Sequence, residues 1–326
     1  MPHAVIAGTG RHLPDKVLTN HDLEKMVQTS DQWIVERTGI RERRIAGKGT
    51  SASDLAVPAA QKALAAAKVT PEEVDLILVG TSTPDMFFPS TACFVQAKLG
   101  CVNAAAFDML AACSGWVYGM SVANAFIRGG QYKTVLVIGA EVYSHILNWE
   151  DRATCVLFGD GAGAVLLKAS DTADGILSAN IFSDGSKSEF LYAPGGGSSS
   201  RFTPELVAEK KYTLAMVGNS TFKVAVKMMA DAATKAMKEN NVTPADIKLV
   251  IPHQANLRII SAVAKQLGMP EEHFFSNLQK YGNTAAASIP IALDEALEQG
   301  KVAKGDLVLM VTFGGGFTWG SLLIRL

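Results

Sequence analysis

Val69-Thr-Pro-Glu-Glu-Val-Asp-Leu-Ile-Leu-Val79 recurs as Val242-Thr-Pro-Ala-Asp-Ile-Lys-Leu-Val-Ile-Pro252, 173 residues further on. Each copy reads as a Thr-Pro turn followed by an almost unbroken apolar run. That run suits a strand covered on both faces of its sheet. The same spacing lays Val135-Leu-Val-Ile138 on Val308-Leu-Met-Val311. Two matching blocks at one spacing imply an internal duplication of an α/β unit. The expected fold class is α/β, with halves 1–174 and 175–326 packed as a layered α/β/α/β/α core.

Outward from these blocks, Ala4 to Gly10 reads as a strand, and Asn20 to Val27 as a short helix with Asn20 as a candidate N-cap. Ser51 and Asp54 form a capping-box pattern ahead of a helix reaching about Ala67. Phe94–Leu99 is expected to be helical and Ala104–Met109 a strand. Met86, Phe87 and Phe88 make an apolar cluster in a loop between two prolines. The Gly159-Asp-Gly-Ala-Gly run leads into a strand rather than a helix, which argues for a tight turn and against a dinucleotide site. Phe222–Glu239 reads as a long helix. No role is assigned to the Gly/Ser-rich 195–201 loop or to the poorly patterned 202–212 stretch.

Composition narrows the partners. A formal net charge of −1 over 326 residues gives no reason to expect nucleic acid or a membrane as partner. The start of the chain has neither a basic region nor an apolar segment of the secretory kind. No apolar run reaches the roughly 18 residues of a spanning helix. Cys93, Cys101, Cys113 and Cys155 show no CxxC spacing. No metal site, no disulfide framework and a cytoplasmic location are therefore expected. In that setting the Asn219-Ser-Thr221 sequon is a chance match.

Chemistry concentrates at the ends of the duplicated strands. Cys113 sits where an apolar run meets the start of a helix whose Trp116, Met120, Ala123 and Ile127 share one face. Backbone N–H groups at a helix start favour thiolate, although a free cysteine there also suits simple burial. Gly115 and Gly119 imply close packing against this helix. His253 follows the second copy of the strand, and Asn283 lies in the Tyr281-Gly-Asn-Thr284 turn. Duplication places such strand ends around one centre, where α/β sheets bind ligands. Phe313-Gly-Gly-Gly-Phe317 lets backbone approach a ligand, and its N–H groups with that of Cys113 can form an oxyanion hole. Trp33 lies among Arg37, Arg41, Arg43 and Arg44, a composition suited either to stacking on a base beside phosphates or to a solvated basic face.

Four separated motifs resemble the β-ketoacyl-acyl-carrier-protein synthase III family, which has the thiolase fold: Asp108 to Gly119, Pro252-His-Gln-Ala-Asn256, Tyr281 to Ser288, and Phe313 to Ser321. The resemblance runs from Ile6 to the C-terminus, and the 196–212 stretch departs from the family pattern. It implies a homodimer that condenses a short acyl-CoA with malonyl-acyl-carrier protein, using no cofactor. By that resemblance Cys113 carries the acyl group, while His253 and Asn283 stabilise the enolate left by decarboxylation. Gly315 and Cys113 N–H groups hold the acyl oxyanion and Phe313 packs beside the triad. Trp33, Arg37 and Arg152 take the CoA adenine, and Asn256 lines the pantetheine tunnel. Phe87 or Phe88 caps the partner's primer pocket, and Arg258 and Lys265 dock the carrier protein. The nearest alternative is a starter enzyme of polyketide or alkylquinolone synthesis with the same triad. A degradative thiolase needs a second catalytic cysteine, and none follows Cys155. A non-catalytic CoA-binding dimer would not need the triad. A cysteine hydrolase would use His253 as base and admit water to the thioester.

Overall fold

The structure is a computed structural model that describes residues 1–326 apart from the side chains of Asn219 and Ser220; the asparagine of the 219–221 sequon thus lies outside the described side chains. The first half supplies β1 (His3–His12), β2 (Leu76–Gly80), β3 (Ala105–Met109), β4 (Thr134–Glu141) and β5 (Gly161–Ser170). They form one sheet in the order β1-β5-β4-β2-β3, with β2 parallel to both of its neighbours. The second half supplies β6 (Gly175–Ser183), β7 (Leu249–Pro252), β8 (Leu307–Gly314) and β9 (Thr318–Arg325). Their order, β6-β9-β8-β7, repeats the first, with β7 and β8 parallel. On the free side of β7 a single bridge from Val250 to Phe274 stands in place of a fifth strand.

The longer helices complete the layers: α1 (Asp31–Thr38), α2 (Ala52–Ala67), α3 (Thr91–Leu99), α4 (Gly115–Arg128), α5 (Gly218–Glu239), α6 (Leu257–Leu267) and α7 (Ser288–Glu298). Helices α4 and α7 touch both sheets and make the middle layer. Helix α2 covers the outer face of the first sheet, and α5 that of the second. Alternation along β2 divides the core accordingly. Leu76 and Leu78 join Trp116 and Met120 between the sheets, whereas Ile77 and Val79 join the alanines of α2. The expected face of α4 (Trp116, Met120, Ala123 and Ile127) is fully buried.

Local expectations needed adjusting in places. The helix after β1 is one turn, Asn20–Leu23, and its cap is Thr19, which forms a capping box with Asp22. Asn20 is instead buried, and its side chain donates to Ile40 O at 2.8 Å. Helix α3 starts at Thr91, three residues earlier than the pattern suggested, because the Asp108 carboxylate accepts the Thr91 and Ala92 N–H groups at 2.7 and 2.8 Å. The unpatterned 202–212 stretch contains a single short helix, Pro204–Ala208, capped by Thr203.

The duplication survives in backbone detail. Ala112–Ser114 and Ala285–Ala287 each form a 3-10 turn leading straight into a middle-layer helix. Each opens on an alanine with φ of 46°, a conformation L-residues rarely adopt. Strand β4 of the first half ends against the second half's turn, and β8 of the second against the first half's. The fit is tight enough to require glycine. A Cβ built on Gly139 would lie 2.3 Å from Ala286 O, and one on Gly314 would lie 2.7 Å from Cys113 N. Gly139→Ala is expected to cost about 1–3 kcal/mol of unfolding free energy in urea, because backbone has to move. Gly185→Ala, with nothing within 4 Å of the added Cβ, should change stability by less than about 0.5 kcal/mol.

Candidate active site

Cys113 is the middle residue of the first 3-10 turn and is 5% exposed. Its carbonyl accepts the Thr312 hydroxyl at 3.1 Å, and Ser114 Oγ donates to Thr318 O at 3.1 Å, so the turn is fastened to the β8–β9 hairpin. Helix α4 begins two residues later and directs its N-terminus at this turn. Thiolate is nevertheless disfavoured in this setting. Burial pushes the Cys113 thiol well above its ordinary value, and the nearby Glu141 carboxyl adds to the rise, with the residue's own N–H opposing both. The expectation that the helix start favours thiolate is overturned by desolvation.

His253 emerges from the end of β7, its N–H bonded to Val311 O at 2.8 Å and its ring 2% exposed. Burial lowers it to about 3, so the imidazole is neutral. Nδ1 lies 2.7 Å from Ser288 Oγ, which also accepts the Gln254 N–H at 3.4 Å. Either atom can donate in this contact; with the Ser288 hydroxyl donating to Nδ1, the ring proton sits on Nε2. In that tautomer neutral His253 is a hydrogen-bond donor at Nε2.

Asn283 is held on both sides of its backbone. Its N–H donates to Leu157 O at 2.8 Å, and its carbonyl accepts the Gly159 N–H at 3.0 Å. The side-chain Oδ1 accepts the Ala285 N–H at 2.9 Å, which fixes the amide's orientation. Among the described residues Nδ2 has no partner, so it too is available as a donor.

These side chains meet in one cavity of about 540 Å³, lined by Cys113, His253, Asn283 and Phe313 and, towards its mouth, by Trp33, Arg37, Asn256 and Arg258. Phe313 is buried and packs edge-on against Phe317 at 4.6 Å. Asn256 caps α6, taking the Arg258 N–H at 2.9 Å, while its Nδ2 donates to Arg37 O at 3.1 Å. Both of its polar ends are therefore committed to the cavity wall. The guanidiniums of Arg37 and Arg152 stand 4.9 and 4.6 Å from the Trp33 ring centre, and Arg152 also donates to Gln28 O. Arg258 is exposed and lies 5.6 Å over Phe222.

Some of the expected residues stand apart from this cavity. Lys265 is exposed near the end of α6. Phe87 and Phe88 are 75% and 84% exposed. Phe87 borders a different cavity, of about 630 Å³, together with Gly195 and Phe202. In the glycine run, Gly314 abuts Cys113, while a Cβ on Gly315 would face Leu191 O at 2.7 Å. Leu191 and Met216, paired in the two short strands that flank the unassigned 195–212 stretch, also line the active-site cavity. Ser288 lay inside a motif already noted, but its bond to His253 spans 35 residues and left no local signal. No group of three His, Cys, Asp or Glu side chains among the described residues is placed to hold a metal ion. No described helix is long and apolar enough to cross a membrane.

Residues 107–185 match the family model for 3-oxoacyl-[acyl-carrier-protein] synthase III, and residues 237–326 match the model for its C-terminal part. A relative from Caldanaerobacter subterraneus subsp. tengcongensis named β-ketoacyl-[acyl-carrier-protein] synthase III is 52% identical, over 99% of this chain and 97% of its own. One of the same name from Xanthomonas campestris pv. campestris is 54% identical, over 98% of this chain and 97% of its own. The crystal structure of 3-oxoacyl-[acyl-carrier-protein] synthase III from Aquifex aeolicus superimposes with a TM-score of 0.92 at 50% identity, covering 99% of this chain and 100% of that one. With cysteine, histidine and asparagine gathered in one cavity of a duplicated thiolase-like fold, the chain belongs to the β-ketoacyl-acyl-carrier-protein synthase III family.

Proposed function

We propose that this protein condenses a short acyl-CoA with malonyl-acyl-carrier protein, releasing CO2 and CoA and starting fatty-acid synthesis. The observation that carries the reading is the shared cavity of Cys113, His253, Asn283 and Phe313, with Trp33 and three arginine side chains at or beside its mouth. Cys113 attacks the acyl-CoA carbonyl, and the thiol proton leaves with the CoA sulfur. The N–H groups of Cys113 and Gly315 hold the oxyanion formed on the way. The malonyl thioester then binds, and its C–C bond breaks to give CO2. The electron pair stays on the α-carbon as an enolate whose oxygen takes hydrogen bonds from His253 Nε2 and Asn283 Nδ2. That carbon attacks the acyl group, and Cys113 leaves as a thiolate that takes up a proton from solvent. Donors suit the second step better than a base does, since the proton inventory does not change during decarboxylation.

Nucleophile and donors come from opposite halves of the chain, 1–174 and 175–326. Trp33 with Arg37 and Arg152 offers stacking and cationic contacts to an adenine nucleotide, and Asn256 shapes the pantetheine tunnel. Exposed Arg258 and Lys265 suit an acidic carrier protein. A cytoplasmic homodimer accounts for β3 being an edge strand flanked by Val102 and Leu110, 75% and 80% exposed, and for the projecting Phe87 and Phe88. The partner's Phe87 or Phe88 would cap each primer pocket. No cofactor takes part in these steps.

Separating the half-reactions tests these roles. His253→Ala and Asn283→Ala are expected to acylate Cys113 within about threefold of the wild-type rate, yet lose roughly 100-fold or more in malonyl-carrier-protein decarboxylation. Loss of acylation with intact decarboxylation would reverse the assignment. The pH profile supplies a second test. Because burial holds His253 near 3, its neutral form persists through the window where a free imidazole titrates. Decarboxylation measured from pH 8 down to 5.5 should show no inflection near 6.5, and such an inflection that disappears in His253→Ala would contradict the neutral-donor role.

A further inference from the structure

Glu141 is the last residue of β4, is completely buried, and has no cation paired with it among the described residues. A carboxyl in that position is costly unless donors surround it. They do. Its two oxygens accept the Ser82 N–H at 3.1 and 3.0 Å, and Oε2 accepts the Thr83 hydroxyl at 2.7 Å and, more weakly, that of Thr81 at 3.4 Å. Thr83 Oγ1 is itself oriented by the Val142 N–H at 2.8 Å. From the other half of the molecule the 285–287 turn packs against this end of β4, so closely that a Cβ on Gly139 would lie 2.3 Å from Ala286 O. Burial raises the group to about 8 against the pull of these donors.

The position has a meaning within the duplication. Glu141 corresponds to Gly314, and Ala286 to Cys113, at the 173-residue spacing. In one half, Gly314 abuts the N–H of Cys113 without a side chain to cover it. In the other half, the residue corresponding to Gly314 is Glu141, whose carboxyl closes that end of β4 beside the 285–287 turn. One turn of the pair is left open for chemistry and the other is covered. The covered turn lies inside the segment that presents the donors, where Ala285 N–H holds Asn283 Oδ1 and Ser288 Oγ meets His253 Nδ1.

We propose that Glu141 is a positioning residue for decarboxylation: by tying the Thr81–Thr83 turn to the end of β4, on which the 285–287 turn packs, it fixes the 283–288 segment so that Asn283 and the Ser288-bound His253 stand correctly at the cavity. This rests on the reading of His253 and Asn283 as donors to the malonyl thioester. It acts on the second half-reaction through geometry, and Cys113 acylation does not depend on it.

The test compares wild type, Glu141→Gln, Thr83→Val, Thr83→Ser and Asn283→Ala as full-length proteins. Cys113 acylation by acyl-CoA and decarboxylation of malonyl-carrier protein are measured separately. At a pH above 8, where the carboxyl is ionised and only accepts, glutamine keeps the shape but turns an NH2 towards groups that are themselves donors. Decarboxylation in Glu141→Gln should fall about 10-fold or more while acylation stays within about threefold. Thr83→Val removes one donor and leaves the carboxyl, so it should show a smaller split in the same direction, with Thr83→Ser restoring the wild-type ratio. An equal fall in both half-reactions, or no fall in either, overturns the proposal. If Glu141→Gln does not fold, the two Thr83 variants decide by the same criterion. Asn283→Ala separates the two levels. If it loses acylation instead of decarboxylation, the donor reading itself has failed; if it behaves as assigned while the Glu141 and Thr83 variants show no split, only the role of Glu141 has failed.

Discussion

The end of β4 is pressed against the 3-10 turn of the second half and the end of β8 against that of the first, at distances only glycine backbone permits. This reciprocal crossing is what makes one site from two repeats. It brings the Cys113 turn beside the β8–β9 hairpin, and the 283–288 segment beside β4. Each middle-layer helix then starts at the site and runs away through the core. The strained alanines at 112 and 285 persist because packing on both sides over-determines them.

Chemically, the arrangement is a cavity furnished with hydrogen-bond donors. The buried imidazole stays neutral, the asparagine amide is oriented by a backbone N–H, and burial favours the protonated thiol. Neither the thiol nor the histidine is poised to carry charge, which fits the proposed condensation better than general-base hydrolysis. Such a site is well matched to a reaction in which negative charge appears briefly on carbonyl oxygens and then moves on. The hydrolase alternative asks His253 to accept a proton at an atom whose neighbours disfavour the cation.

Much of this was readable from the chain because duplication is a long-range signal written in local pattern. The 173-residue spacing reproduces the starts of β2 and β7, of β4 and β8, and even the left-handed alanines. Cys113, His253 and Asn283 were therefore found as strand-end residues before any contact was known. What stayed hidden depends on neighbours distant in sequence. Ser288 resembles any helix-start serine until His253 lies against it. Glu141 ends an apolar strand and looks like an edge charge, whereas three donors from residues 81–83, in the loop after β2, enclose it. The thiol's upward shift is a property of burial, which no helix-start pattern reports. The second sheet lacks a partner for β3 because Phe274 contributes a bridge rather than a strand, and the repeat in sequence gave no warning of that.

The account centres on Cys113 as the carrier of the acyl group, and intact-protein mass spectrometry with site mapping addresses that directly. After exposure to a panel of short acyl-CoAs, the protein should gain one acyl mass, mapped to Cys113, that persists in water and is discharged as β-ketoacyl product when malonyl-carrier protein is added. Acyl mass on another residue, undiminished condensation by Cys113→Ala, or release of the acyl group as free acid without malonyl-carrier protein would contradict it.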